Sequence, residues 1–347
     1  MIKAYKKGQI SPFQLFSILF VSRIVVSLTY IQNVSVGRLS TDLLISVFLG
    51  LLGALALCVP ICLCIKKNKN PFDVKWIAVL YGLFFVFNAA LSITRFSYFA
   101  TNRFNTAMPM IVYVLLIAAA ACYAASLGIE PMGRFSGVCS ISLLLVMAIV
   151  IIFNGKNVDL INFYPIVENS RANIFENAAM IASNTVEPAL VAALSKRVNG
   201  NAVKPLICST LFVFVVIFLL IFMCMGVMGS AASLQAYPIF TLFQMASIGS
   251  LSRLDMLHTA FWMLALFLKT SVFIYAATTG LKSSRHSVNA LGAAILTVVI
   301  SALIIWLISM RSVSFSKIMS LSLSILFLVI IPVAFLLKER KNTVETV

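Results

Sequence analysis

NAAMIASNTVEPALV, residues 177–191, is the stretch whose reading decides the fold. It places Asn177, Ser183, Asn184, Thr185 and Glu187 within one helical length and follows them at once with Pro188. The chain around it is 61% hydrophobic and only 10% charged, with a mean hydropathy of +1.06. The runs Leu43–Ile65, Ala107–Gly128, Gly137–Gly155 and Leu206–Ser252 carry no charge at all. Runs of about 20 apolar residues match a bilayer core and overshoot an ordinary soluble helix. The chain therefore reads as an all-α polytopic membrane protein, and 177–191 as a span that tolerates a carboxylate and a helix breaker.

Working outward, ten transmembrane helices are expected, near 12–32, 43–65, 75–98, 107–127, 137–155, 174–195, 205–229, 255–280, 288–309 and 318–337. The loops are short, so residues 1–347 read as a single integral membrane domain. Lys3, Lys6 and Lys7 precede an apolar run that is too long for a signal peptide and lacks a small-residue cleavage pattern, so it reads as the first span. After Pro238, the segment YPIFTLFQMASIG is read as a short interfacial or re-entrant helix rather than an eleventh span. The seven cysteines fall inside apolar runs without CxxC or Cys/His spacing, and are expected to be small buried hydrophobes.

The net charge of +16 is no nucleic-acid footprint, because the cations sit at span ends. With the N-terminus placed in the cytoplasm, 16 Lys and Arg fall on the inner side and seven on the outer, which puts both termini inside. Ten spans with both ends inside divide as five plus five, and the second half enters the membrane from the opposite side. That is the geometry of inverted repeats in secondary transporters, whose sites lie at mid-bilayer on interrupted helices.

On a regular helix, Asn173, Asn177, Ser183, Asn184 and Glu187 share an arc of about 120°, with Thr185 outside it. Such a face lines a cavity or is buried against other helices; a helix lying flat on the membrane surface is the alternative. Pro188 removes one backbone donor and presses on the Asn184 carbonyl, so a break is expected there. Arg23 and Lys269 fall near the middle of spans one and eight. A central charge costs roughly 2.5–3.5 kcal/mol, so each needs a partner or a wet cavity. Glu187 is the carboxylate at comparable depth. The surplus cation suits a ligand carboxylate; the alternative is a neutral Lys269 beside a structural Arg23–Glu187 pair. Asn88, mid-span, is a further candidate for the site or for a helix–helix hydrogen bond. The sequence has no P-loop, HExxH, GxSxG or acidic metal cluster, so neither enzyme chemistry nor a metal or cofactor is expected.

Several segments carry a resemblance. ISPFQLFSILFVSRI (Ile10–Ile24) resembles the opening of the endospore germination permeases, the B subunits of nutrient germinant receptors. YAASLGIEPMGR (Tyr123–Arg134) holds a family-like Gly-x-Glu-x-x-x-Arg in Gly128, Glu130 and Arg134. Residues Tyr237–Ala277, with Arg253, Leu254, Asp255, Trp262 and Lys269, look like that family's most recognisable region, and Glu187 matches a glutamate of its sixth span. The resemblance implies the ten-helix fold of the amino acid–polyamine–organocation superfamily, with spans one and six broken around the ligand. It also implies residence in the spore inner membrane, an A-type membrane subunit and a C-type lipoprotein as partners, and sensing of a small nutrient such as an amino acid. Where family members often carry Gly-x-Gly in span one, this chain has Val25 and Ser27. Arg23 then becomes the candidate reader of a ligand carboxylate, with Ser27 beside it. A proton-coupled amino-acid permease and a scaffold with a vestigial pocket are the rival readings.

Overall fold

The structure is a computed structural model describing residues 8–34, 40–103, 107–167, 170–246, 255–281, 286–309 and 321–344. Among these residues it is helical, with one isolated bridge between Ile10 and Val198. The helices are α1 (Pro12–Val34), α2 (Asp42–Lys66), α3 (Lys75–Arg103), α4 (Met110–Ser126), α5 (Ile129–Asn154), α6 (Arg171–Ser183) and α7 (Glu187–Leu194). They continue as α8 (Val203–Met228), α9 (Pro238–Met245), α10 (Asp255–Thr279) and α11 (His286–Ser309). A last helix runs from 321 through a π-helical turn, Leu326–Ile330, into α12 (Ile331–Val344).

Seven segments among the described residues are long and apolar enough to cross a membrane, with α6 and α7 counted together. The apolar helices Pro12–Val25, Met110–Ser126 and Leu321–Leu337 are shorter and fall on three other expected spans. The short helix expected after Pro238 is α9. Helix α5 starts eight residues before the expected 137. The apolar run begins there, but Gly128, at φ +94°, turns the chain and the helix starts at once. Its first turns are amphipathic, held by an i,i+4 pair in which Arg134 donates to Glu130 at 2.6 Å.

The expected break in span one is not found: α1 is continuous through Val25 and Ser27. Neither residue has glycine's tolerance for unwound backbone, and the helix begins on a firm cap. Ser11 Oγ accepts from Gln14 N (3.1 Å) while Gln14 Oε1 accepts from Ser11 N (2.8 Å), with Pro12 at the first helical position. The cysteines are only partly as expected. Five are buried, but Cys122 is half-buried and Cys208 is exposed on the outside of α8. An apolar side chain facing lipid is as well placed as one in the core.

Helix α10 is central, packed on α1, α3, α4 and α5, while α2 lies along α6. The α2–α6 contact is close because α2 offers small residues, as membrane helix pairs commonly do. Ser46 Oγ donates to Ile174 O at 3.1 Å. A Cβ added at Gly50 would meet Ile181 Cγ2 at 2.8 Å and Ala178 O at 3.3 Å, and one at Gly53 would meet Ala182 Cβ at 2.9 Å. Gly50→Val is therefore expected to cost about 1–3 kcal/mol by overpacking. Thermal unfolding of the detergent-purified protein checks it, and an unchanged midpoint would contradict this packing.

At the end of the bundle far from the N-terminus, α9 seals the helices with aromatic rings. Phe99 lies 4.4 Å from Trp262, 4.8 Å from Tyr237 and 5.4 Å from Phe240, and Phe243 lies 4.5 Å from His258, all between ring centroids. Trp262 is thus a packing residue.

Candidate functional site

The polar stretch 177–191 is where the bundle departs from regular helix. Helix α6 stops at Ser183, residues 184–186 are not helical, and α7 starts at Glu187 with Pro188 in its first turn. The break lies two to four residues ahead of the proline, where a pyrrolidine ring against the Asn184 carbonyl would put it. Glu187, Pro188, Leu190, Val191 and Leu194 are all buried, unlike a helix lying flat on a surface.

A helix end inside a bundle must satisfy its last carbonyls. Here each has a partner. Met180 O accepts from Ser183 Oγ (2.9 Å) and Asn184 Nδ2 (2.9 Å). Ala182 O accepts from Thr185 N at 3.0 Å. Ile181 O accepts from Arg23 Nη2 at 2.7 Å, so the cation of α1 caps α6 at the negative end of its dipole. Ser183 O accepts from Ser324 Oγ of the last helix.

Beside the break is a cavity lined by Leu19, Arg23, Thr185, Glu187, Ser209, Thr210 and Phe214. About 10 Å³ of it is open to the centre of a water molecule, room for about one water. The cavity as it stands is too small for anything larger than a water. Arg23 is 5% exposed and Glu187 3%. Glu187 Oε1 accepts from Ser22 Oγ at 3.2 Å, and the Arg23 guanidinium lies 5.5 Å from the Phe214 ring centroid. Arg23 Nη1, Glu187 Oε2 and Thr185 Oγ1 are buried without a hydrogen-bond partner. An orphaned cationic donor, an orphaned carboxylate oxygen and a free hydroxyl thus belong to three residues that line one small space. Buried polar atoms left this way cost stability, and a folded chain keeps few of them without a use.

The other candidates fall around this centre. Lys269, 3% exposed on α10, sits with Nζ 5.3 Å from the Phe273 ring centroid, within electrostatic reach of Glu187 and Arg23 but outside the cavity lining. Asn184 is spent on the cap of α6. Asn88 Nδ2 turns back to Phe84 O on its own helix at 2.9 Å, so it does not reach the cavity. Ser27 has its backbone within α1, and its side chain lies outside the described residues.

The sequence reading missed Ser22, Thr185, Ser209, Thr210 and Phe214. A regular 100° step puts Thr185 off the polar face, but the break turns it into the cavity. A signal existed for the α8 pair: Ser209 and Thr210 are the hydroxyl residues of Val203–Met228 and stand side by side.

A family model described as spore germination protein matches residues 9–316 of the chain. No curated protein matches it in sequence. Among solved structures it is similar to a Na+-coupled sialic acid symporter in a substrate-bound, outward-open state. The TM-score is 0.56 at 13% identity, covering 93% of this chain and 79% of that one. It is also similar to Mhp1, a nucleobase-cation-symport-1 family transporter, in a closed conformation with bromovinylhydantoin bound. There the TM-score is 0.51 at 12% identity, covering 84% of this chain and 72% of the other. At such identities the likeness shows a shared transporter fold.

Proposed function

The chain belongs to the spore germination protein family, and from that premise we propose that it is a receptor subunit of transporter descent that binds a small nutrient, such as an amino acid, beside the break between α6 and α7. It would work in the spore inner membrane with an A-type membrane subunit and a C-type lipoprotein. In this reading the chain crosses the membrane ten times as two inverted five-helix repeats with both termini in the cytoplasm. The ten apolar segments, the transporter fold and the cation asymmetry support it.

The observation that carries the assignment is the set of orphaned polar atoms at one cavity, Arg23 Nη1, Glu187 Oε2 and Thr185 Oγ1. A zwitterion offers the complementary groups, a carboxylate for the guanidinium and an ammonium for the carboxylate. Arg23 and Glu187 are its readers, Thr185 a third contact, and Lys269 supplies positive charge from behind. Asn184 and Pro188 hold the break in shape. The test is germination of spores carrying Thr185→Val, which keeps side-chain shape and removes the hydroxyl. The nutrient concentration for half-maximal response is expected to rise about fivefold, the worth of one net hydrogen bond. Unchanged sensitivity would argue against this site.

A proton-coupled amino-acid permease is the second reading, favoured by the buried Lys269 within reach of Glu187. Uptake of labelled amino acid into proteoliposomes, dependent on a proton gradient, would select it.

A further inference from the structure

The Gly128–Glu130–Arg134 motif has no part in the cavity, yet its carboxylate is engaged at the end of the bundle where the chain begins. Glu130 Oε2 accepts from Gly8 N at 3.3 Å, while its Oε1 takes the Arg134 guanidinium at 2.6 Å. The next residues are tied by main chain to the turn after α7. Ile10 N donates to Arg197 O and Asn199 N donates to Ile10 O, both at 2.9 Å. The Ile10 side chain is fully buried against α5, where a Cβ on Gly133 would lie 2.9 Å from its Cγ2.

These contacts converge on α7. That half-helix has eight residues, roughly 12 Å of rod. Glu187 stands at one end, in the cavity, and the segment bonded to Ile10 follows the other. Such a short rod moves as a unit, so α7 cannot swing away from α1 and α5 while the Ile10 bonds hold. We propose that residues 8–10 form a strap, clasped by Glu130 and Arg134, that keeps the cavity closed toward the N-terminal side of the membrane. The strap follows from the contacts alone; only the statement that this side is the cytoplasm rests on the proposed function.

The test uses full-length protein with its native cysteines replaced, Thr185→Cys as reporter and a membrane-impermeant methanethiosulfonate reagent applied to either face of sealed vesicles. Two substitutions loosen the strap independently. Asn199→Pro deletes one main-chain donor, and the preceding Val198 is already extended, as a following proline requires. Glu130→Ala removes the clasp. Each is expected to raise labelling from the strap side about fivefold, and both together about twenty-five-fold, the worth of one and two net hydrogen bonds. Lys67→Cys, exposed on the strap side, reports separately which compartment that side faces. Unchanged labelling in both variants, with the protein monodisperse, overturns the strap, as does a rise confined to the opposite face. A strap-side rise with Lys67→Cys labelled from outside upholds the strap and overturns the assigned orientation.

Discussion

Arg23→Leu is expected to prevent assembly, or to lower stability by about 3–5 kcal/mol, the usual effect of stripping one partner from buried opposite charges. Two contributions combine. Ile181 O loses its 2.7 Å donor at the end of α6, and the Glu187 carboxyl is left in the cavity without the neighbouring guanidinium. The measurement is the yield and unfolding midpoint of detergent-purified protein beside wild type. Arg23→Lys keeps a cation at the helix end but loses the fork that serves the cap and the cavity together, so it should assemble yet respond weakly to nutrient. In the double variant Arg23→Gln/Glu187→Gln, two neutral amides share the cavity. Assembly should return without the nutrient response. Wild-type yield and midpoint in Arg23→Leu would contradict the role of Arg23 as cap and charge partner.

The break in span six was legible in the sequence because its cause is local. Pro188 acts on its own preceding turn, and Asn184 and Glu187 mark where polar groups gather. The membrane class and the placing of the helices were legible too, since uncharged runs of this length suit a bilayer core and little else. What was hidden depends on neighbours far along the chain. Thr185 reaches the cavity only because the helix stops before it, and periodicity assumes that it does not. Ser209 and Thr210 are two hydroxyls in an apolar helix, and only its packing against α1 gives them a cavity to face. Arg23 was found for its charge at depth, but its role as a cap in trans depends on where α6 ends. The strap was out of reach because it is made largely by main chain, which any sequence supplies. The expected break in span one rested on the resemblance, and Val25 and Ser27 already told against it.

Glu187 offers the second large effect. Its Oε1 is held by Ser22, which fixes the carboxylate, and its Oε2 is buried without a partner in a residue that lines the cavity with Arg23 and Thr185. An ammonium bound there would make a charge-assisted hydrogen bond to a preoriented oxygen. Glu187→Gln keeps the shape and the Ser22 contact but lacks the charge. A hydrogen bond between charged groups is worth up to about 3 kcal/mol, so affinity should fall about a hundredfold. The direct measurement is equilibrium binding of radiolabelled amino acids, one by one, to purified full-length protein and to the folded Glu187→Gln variant. At least one amino acid should bind the wild type and be lost, or bind about a hundredfold more weakly, in the variant. An amino acid bound equally well by both proteins, or none bound by the wild type up to millimolar concentration, would contradict the assignment of this cavity as the nutrient site.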